Sequence, residues 1–187
     1  MTSQFGPSAL YTPANVLTLG RLLLTLPFLA LVGGDGASWV AVSFWIALCL
    51  TDWMDGIVAR RQGTTRSGAF LDPLADKVLV LGTLAALVAE GAFWWLPVVV
   101  IAVRELGIQA LRSYWVRRGL AIPATTLAKV KTVVQQVAVG FALLPLTADD
   151  ATWVHTGLLW AAVAFTVVTG VQYVTAGSRM ATTAGSR

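Results

Sequence analysis

The chain has 187 residues, of which 57% are hydrophobic and 12% charged. With a mean hydropathy of +0.75, this composition excludes a disordered chain and an ordinary soluble domain, and it fits one compact all-α membrane domain. A net charge of +4 would suit nucleic acid, but in so apolar a chain surplus Lys and Arg report topology and anionic headgroups, so no nucleic-acid partner is expected.

In chain order, no basic residue precedes Arg21 and no small-residue cleavage site follows the first apolar run, so that run is expected to stay as a span. Apolar runs cover 16–32, 37–50, 132–146 and 153–174. The single cysteine, Cys49, rules out an internal disulfide framework and reads as a buried small hydrophobe. The run 78–103 is broken at Glu90-Gly91. It is long enough for one tilted span, since about 20 residues cross the hydrocarbon core. Charge decides between one span and a hairpin. A single span would put Lys77 and Arg104 on opposite sides of the bilayer; a hairpin puts them together.

Six transmembrane helices are therefore predicted, over 12–33, 37–62, 68–90, 92–118, 126–147 and 152–175. Every Lys and Arg then falls on one side, and the outer loops carry only Asp35, Glu90, Asp149 and Asp150. This is a positive-inside pattern for a multi-pass protein of the cytoplasmic membrane with both termini cytoplasmic. Trp39, Trp94, Trp95 and Trp153 fall at the outer ends, where an interfacial aromatic belt belongs. Residues 1–176 form the single domain, and 177–187 read as a disordered cytoplasmic tail.

Charge is concentrated in one stretch, TDWMDGIVARRQGTTRSGAFLDPLADK, at 51–77. Asp52, Asp55, Asp72 and Asp76 make up four of the nine acidic residues in the chain. Charged side chains at that depth must face the bundle interior or a watery cavity. The polar halves of the second to fifth helices are thus expected to enclose a cavity at the cytoplasmic face. Asp52, Asp55, Gly56, Ala59 and Arg60 fall within roughly 140° of one helix. Gly68, Asp72 and Asp76 follow at i, i+4 and i+8 on the next, so two carboxylates from each helix can meet.

Four anions so close need cations among them, and a pair of hard divalent ions with oxygen ligands meets that need. The lone histidine, His155, lies elsewhere and thiolate is absent, which argues against zinc or copper. Two other readings stay open here. The carboxylates could relay protons or bind a transported ion, or Arg60, Arg61 and Arg66 could neutralise them in a structural network. Gly56 and Gly68 likewise suit either a bulky ligand beside the metals or close helix packing.

The pattern Asp52-x2-Asp55-Gly56-x2-Ala59-Arg60-x7-Gly68-x3-Asp72-x3-Asp76 resembles the signature of the CDP-alcohol phosphatidyltransferases. These are membrane enzymes of six transmembrane helices that usually form homodimers. The resemblance extends to Asn15-Val16-Leu17-Thr18-x2-Arg21, Arg104-Glu105, ALR at 110–112 and KVKT at 129–132, elements of the branch that uses glycerol 3-phosphate. It implies transfer of the phosphatidyl group of CDP-diacylglycerol to that acceptor, with release of CMP. It also implies that Asp52, Asp55, Asp72 and Asp76 hold two Mg²⁺ or Mn²⁺ ions, and that Asp76 is the general base. The CDP moiety is expected along Asn15, Gly56, Ala59, Arg60, Thr65 and Gly68. For Asn15, a helix N-cap is the competing role.

Arg104, Arg112, Lys129 and Lys131 form a second basic set suited to a phosphorylated acceptor. Arg104 lies too deep in its helix for a surface charge and is expected to face the cavity. Glu105, Gln109 and Arg112 share a face, so Glu105 is expected to orient Arg112. Arg117 and Arg118 are expected to reach toward headgroups. The signature does not separate siblings that use another acceptor, such as an inositol phosphate or phosphatidylglycerol. A divalent-cation transporter would need a polar path to the outer face, and the outer helix halves are apolar.

Overall fold

A computed structural model describes residues 13–62, 68–117, 126–148 and 150–185, with side chains over 15–54, 71–115, 127–148 and 150–177. Among the described residues the fold is entirely helical. Its elements are α1 (Pro13–Asp35), α2 (Trp39–Gln62), α3 (Gly68–Ala89), α4 (Trp95–Arg117), α5 (Thr126–Leu143), α6 (Pro145–Ala148) and α7 (Thr152–Gly185). The six long helices correspond one for one to the predicted six.

Two boundaries differ. The helix predicted over 126–147 is interrupted at Leu144, because Pro145 lacks an N–H and opens the short α6 as its first residue. The tail predicted to be disordered from 177 instead continues α7 as far as Gly185. The segment AGSRMATTAG contains no proline, so nothing in it blocks the helix already running.

Short connections force neighbouring helices to run antiparallel. Ser38 caps α2, its hydroxyl accepting the Ala41 N–H at 3.1 Å, while its own N–H donates to the Leu143 carbonyl at 3.1 Å. The turn between α3 and α4 depends on Gly91, whose φ of 77° is costly for any side chain. The two helices pack together after it, so the hairpin at Glu90-Gly91 is real and Lys77 and Arg104 reach the same end. His155 is buried at the opposite end, its ring against Phe93 at 5.6 Å. Trp39, Trp94, Trp95 and Trp153 are all exposed there.

The core joins Phe28, Trp45, Leu84, Ile101, Leu143 and Leu159, so every long helix contributes to it. Trp45 also donates its indole N–H to the Gln136 carbonyl at 3.0 Å, tying α2 to α5. The outward faces are apolar as well: Leu23, Val40, Val103 and Val171 are exposed. Among the described residues two helices, over Asn15–Asp35 and Thr152–Gly177, are by themselves long and apolar enough to cross a membrane. Apolar outward faces on a chain with an apolar core are what a lipid solvent requires.

Candidate active site

The site begins on α1. Asn15, Thr18, Arg21 and Thr25 are all buried and fall within roughly 120° of one helical face. The Thr25 hydroxyl donates to the Arg21 carbonyl at 2.8 Å, which satisfies it within the helix. Thr18 and Arg21 reach outward instead. The Thr18 hydroxyl donates to Asp72 Oδ1 of α3 at 2.7 Å, and Arg21 pairs with Asp52 of α2. One turn of α1 therefore holds one carboxylate from each of its two neighbours. Asp76 lies one turn beyond Asp72 on the same face of α3.

Two of the four predicted carboxylates, Asp52 and Asp72, are thus held on one turn of α1 where α1, α2 and α3 meet. The side chain of Asp55 lies outside the described residues, as do those of Gly56, Ala59, Arg60 and Gly68. Thr65 and Arg118 fall outside entirely, and only the backbone of Arg117 is described. Asn15 lies inside the first turn of α1 and not ahead of it, which removes the N-cap alternative. The donor set is all carboxylate oxygen, the chemistry that hard divalent cations select. Among the described residues no three acidic, histidine or cysteine side chains stand close enough together to hold a metal.

A second polar cluster adjoins the first. Glu105 of α4 accepts from Arg104 Nη1 at 2.9 Å, pairs with Lys131 of α5, and lies 3.6 Å from Lys77 Nζ of α3. Its ion pairs among the described residues are these three, and not the expected one with Arg112. Arg104 donates a second bond, from Nη2 to the Thr169 hydroxyl of α7 at 2.8 Å. Gly170 packs against that side chain: a Cβ there would lie 3.4 Å from Arg104 Cγ, an ordinary contact.

These residues line a cavity of about 170 Å³ together with Gln109, Arg112 and Tyr173. Arg104 faces it as expected, with Arg112 and Lys131, whereas Lys129 is exposed and takes no part in its lining. A smaller void of about 20 Å³ is bounded by Asp76, Lys77, Glu105, Lys131 and Gln135. Asp76 and the basic cavity therefore share a wall. A third space, an apolar groove of about 450 Å³, runs between α2 and α5 along Trp45, Ile46, Leu50, Val133 and Val137. Cys49 is half-buried and lines this groove, not enclosed in the core as expected.

Thr18, Arg21, Lys77, Thr169 and Tyr173 received no role from the sequence. The polar α1 stripe was detectable, since Asn15, Thr18, Arg21 and Thr25 recur at helical spacing in an apolar helix. Thr169 and Tyr173 carried no such signal.

Carboxylates held on α1 thus adjoin a cation-lined cavity within an all-helical apolar bundle. The family model for CDP-alcohol phosphatidyltransferase matches residues 11–168, and the chain belongs to that family. It is 43% identical over 170 residues to a Mycobacterium tuberculosis protein named probable phosphatidylglycerophosphate synthase, covering 86% of this chain and 79% of that one. It is 38% identical over 137 residues to the CDP-diacylglycerol–glycerol-3-phosphate 3-phosphatidyltransferase of Escherichia coli K12, covering 69% of this chain and 75% of the relative. The corresponding Salmonella choleraesuis enzyme shows the same identity and coverage.

Proposed function

We propose that this protein transfers the phosphatidyl group of CDP-diacylglycerol to glycerol 3-phosphate, giving phosphatidylglycerophosphate and CMP. The observation that carries the reading is the wall shared by Asp76 and the basic cavity. An acceptor whose phosphate sits among Arg104, Arg112 and Lys131 presents its free hydroxyl toward the carboxylates. The names and similarity of the relatives support the same acceptor.

In the reaction, the acceptor hydroxyl oxygen bonds to the phosphorus that carries diacylglycerol. The bond from that phosphorus to the CMP oxygen breaks, and CMP leaves with the electron pair. Asp76 takes the hydroxyl proton. Two divalent cations, Mg²⁺ or Mn²⁺, held by Asp52, Asp55, Asp72 and Asp76, would supply stabilisation of the charge on the phosphoryl and leaving oxygens. Arg21 and Thr18 orient Asp52 and Asp72 from behind. Arg60 at the end of α2 meets the diphosphate, with Gly56, Ala59, Gly68, Asn15 and Thr65 bordering the nucleotide. Lys129, exposed and off the cavity, serves as an approach charge for the anionic acceptor.

The apolar groove between α2 and α5 is suited to an acyl chain of the donor, since it reaches Cys49, one turn from Asp52. Val137→Trp, which fills the groove, should raise the KM for CDP-diacylglycerol severalfold and leave the glycerol 3-phosphate KM unchanged. The reverse pattern would remove the groove from the donor site.

We place the six long helices across the cytoplasmic membrane with the carboxylates at the cytoplasmic face, as a homodimer. In a Cys49→Ala background, cysteines at Asp35, Glu90 and Asp150 should label from outside the cell, and one at Gln62 only from the cytoplasm. Labelling of positions 62 and 90 from the same side would sink this topology. Light scattering in detergent should give twice the protomer mass.

A further inference from the structure

We propose that Glu105 is the positioning residue of the acceptor site, fixing the Lys131 ammonium and the Arg104 guanidinium where an acceptor phosphate meets them. This rests on the phosphorylated-acceptor reading above. Among the described residues lining the cavity, Glu105 is the one carboxylate, against four cations, Lys77, Arg104, Arg112 and Lys131. Those it pairs with come from three different helices, so its position decides where the cations of α3, α4 and α5 stand relative to one another.

Lys131 has the most to lose. Its side chain is 4% exposed, and an ammonium so enclosed keeps its charge only beside an anion. Arg104 is fixed at two points, through Glu105 and through Thr169. The fork therefore cannot swing freely, and its Nε is left without a hydrogen-bond partner among the described residues. The Tyr173 hydroxyl in the cavity and the Gln135 amide nitrogen in the adjoining void are also unpartnered there. Buried polar atoms left open around a net positive cavity are what an anionic, hydroxyl-bearing ligand would satisfy. Glu105 itself faces the void shared with Asp76. It therefore lines both the cavity of the cations and the void bounded by Asp76.

The test is a set of variants of the full-length protein in membranes, assayed for CMP release with each substrate varied in turn. Glu105→Gln preserves shape and removes the charge that anchors the cations. The glycerol 3-phosphate KM should rise about tenfold or more, with the CDP-diacylglycerol KM within about twofold of the parent. Glu105→Asp keeps the charge but shortens the arm, and should fall between the two. In a Lys131→Met background, Glu105→Gln should add less than it does alone, because the carboxylate acts through that ammonium. Should Glu105→Gln alone fail to accumulate, Glu105→Asp carries the test, since it leaves no unpaired buried ammonium: its acceptor KM should still rise while the CDP-diacylglycerol KM stays within about twofold of the parent.

An unchanged acceptor KM, an equal rise in both KM values, or full additivity with Lys131→Met would overturn the proposal. Inositol 1-phosphate run alongside separates this idea from the functional reading. Should the parent protein prefer it, and Glu105→Gln raise its KM about tenfold, Glu105 keeps its role and the acceptor assignment falls.

Discussion

Changing Asp52, Asp72 or Asp76 singly to Asn should lower turnover by at least about 10²-fold, the scale lost when one preorganised electrostatic contact to a transition state is removed. Asn matches Asp in size, so packing is kept and only the charge goes. The three variants should still insert and elute as the parent protein does. They should differ in one respect. Asp52 supplies an anion to Arg21, whose side chain is 1% exposed, so Asp52→Asn should also melt at lower temperature in detergent. Asp72 accepts from a neutral hydroxyl, so its amide replacement should melt close to the parent. Chelation with EDTA should abolish CMP release, and Mg²⁺ or Mn²⁺ should restore it. Full activity in metal-free buffer would refute divalent-cation catalysis at these carboxylates.

The second large effect concerns the acceptor. With CDP-diacylglycerol supplied, glycerol 3-phosphate should be turned over efficiently, and free glycerol, serine and free inositol poorly. A dianionic phosphate in the cavity gains charge-assisted hydrogen bonds, each worth about 1.5–3 kcal/mol. A neutral alcohol leaves the same cations without them. Losing two such bonds costs about 3–6 kcal/mol, or a factor of about 10² to 10⁴ in acceptor efficiency. Lys131→Ala should raise the acceptor KM far more than the donor KM. The fold should survive that change, because Glu105 keeps Arg104 and Lys77 as partners. Arg112→Ala should act in the same direction with less effect, since Arg112 is exposed at the cavity edge and holds no pairing with Glu105. Equal turnover of glycerol and glycerol 3-phosphate would remove the basic cavity from acceptor recognition.

Much of this protein was legible in one dimension. Hydropathy and the placement of Lys and Arg determined six long helices and the turn at Glu90-Gly91, because both report on a helix as a whole and tolerate errors of a residue or two. Spacing on a single helix placed Asp72 and Asp76 on one face, and Pro145 carried the signal for the break that splits α5 from α6. Tertiary structure alone decided which charges meet. Helical periodicity relates Glu105 to Arg112, its neighbour on the same face of α4. The carboxylate instead binds Arg104 beside it and, across two interfaces, Lys77 and Lys131. It also took the packing of α7 against α4 to bring Thr169 to Arg104. The rotation of each helix about its axis is set by how its whole surface packs against its neighbours. A pattern confined to one helix contains no record of that rotation, so partners on other helices emerge only when the bundle is assembled.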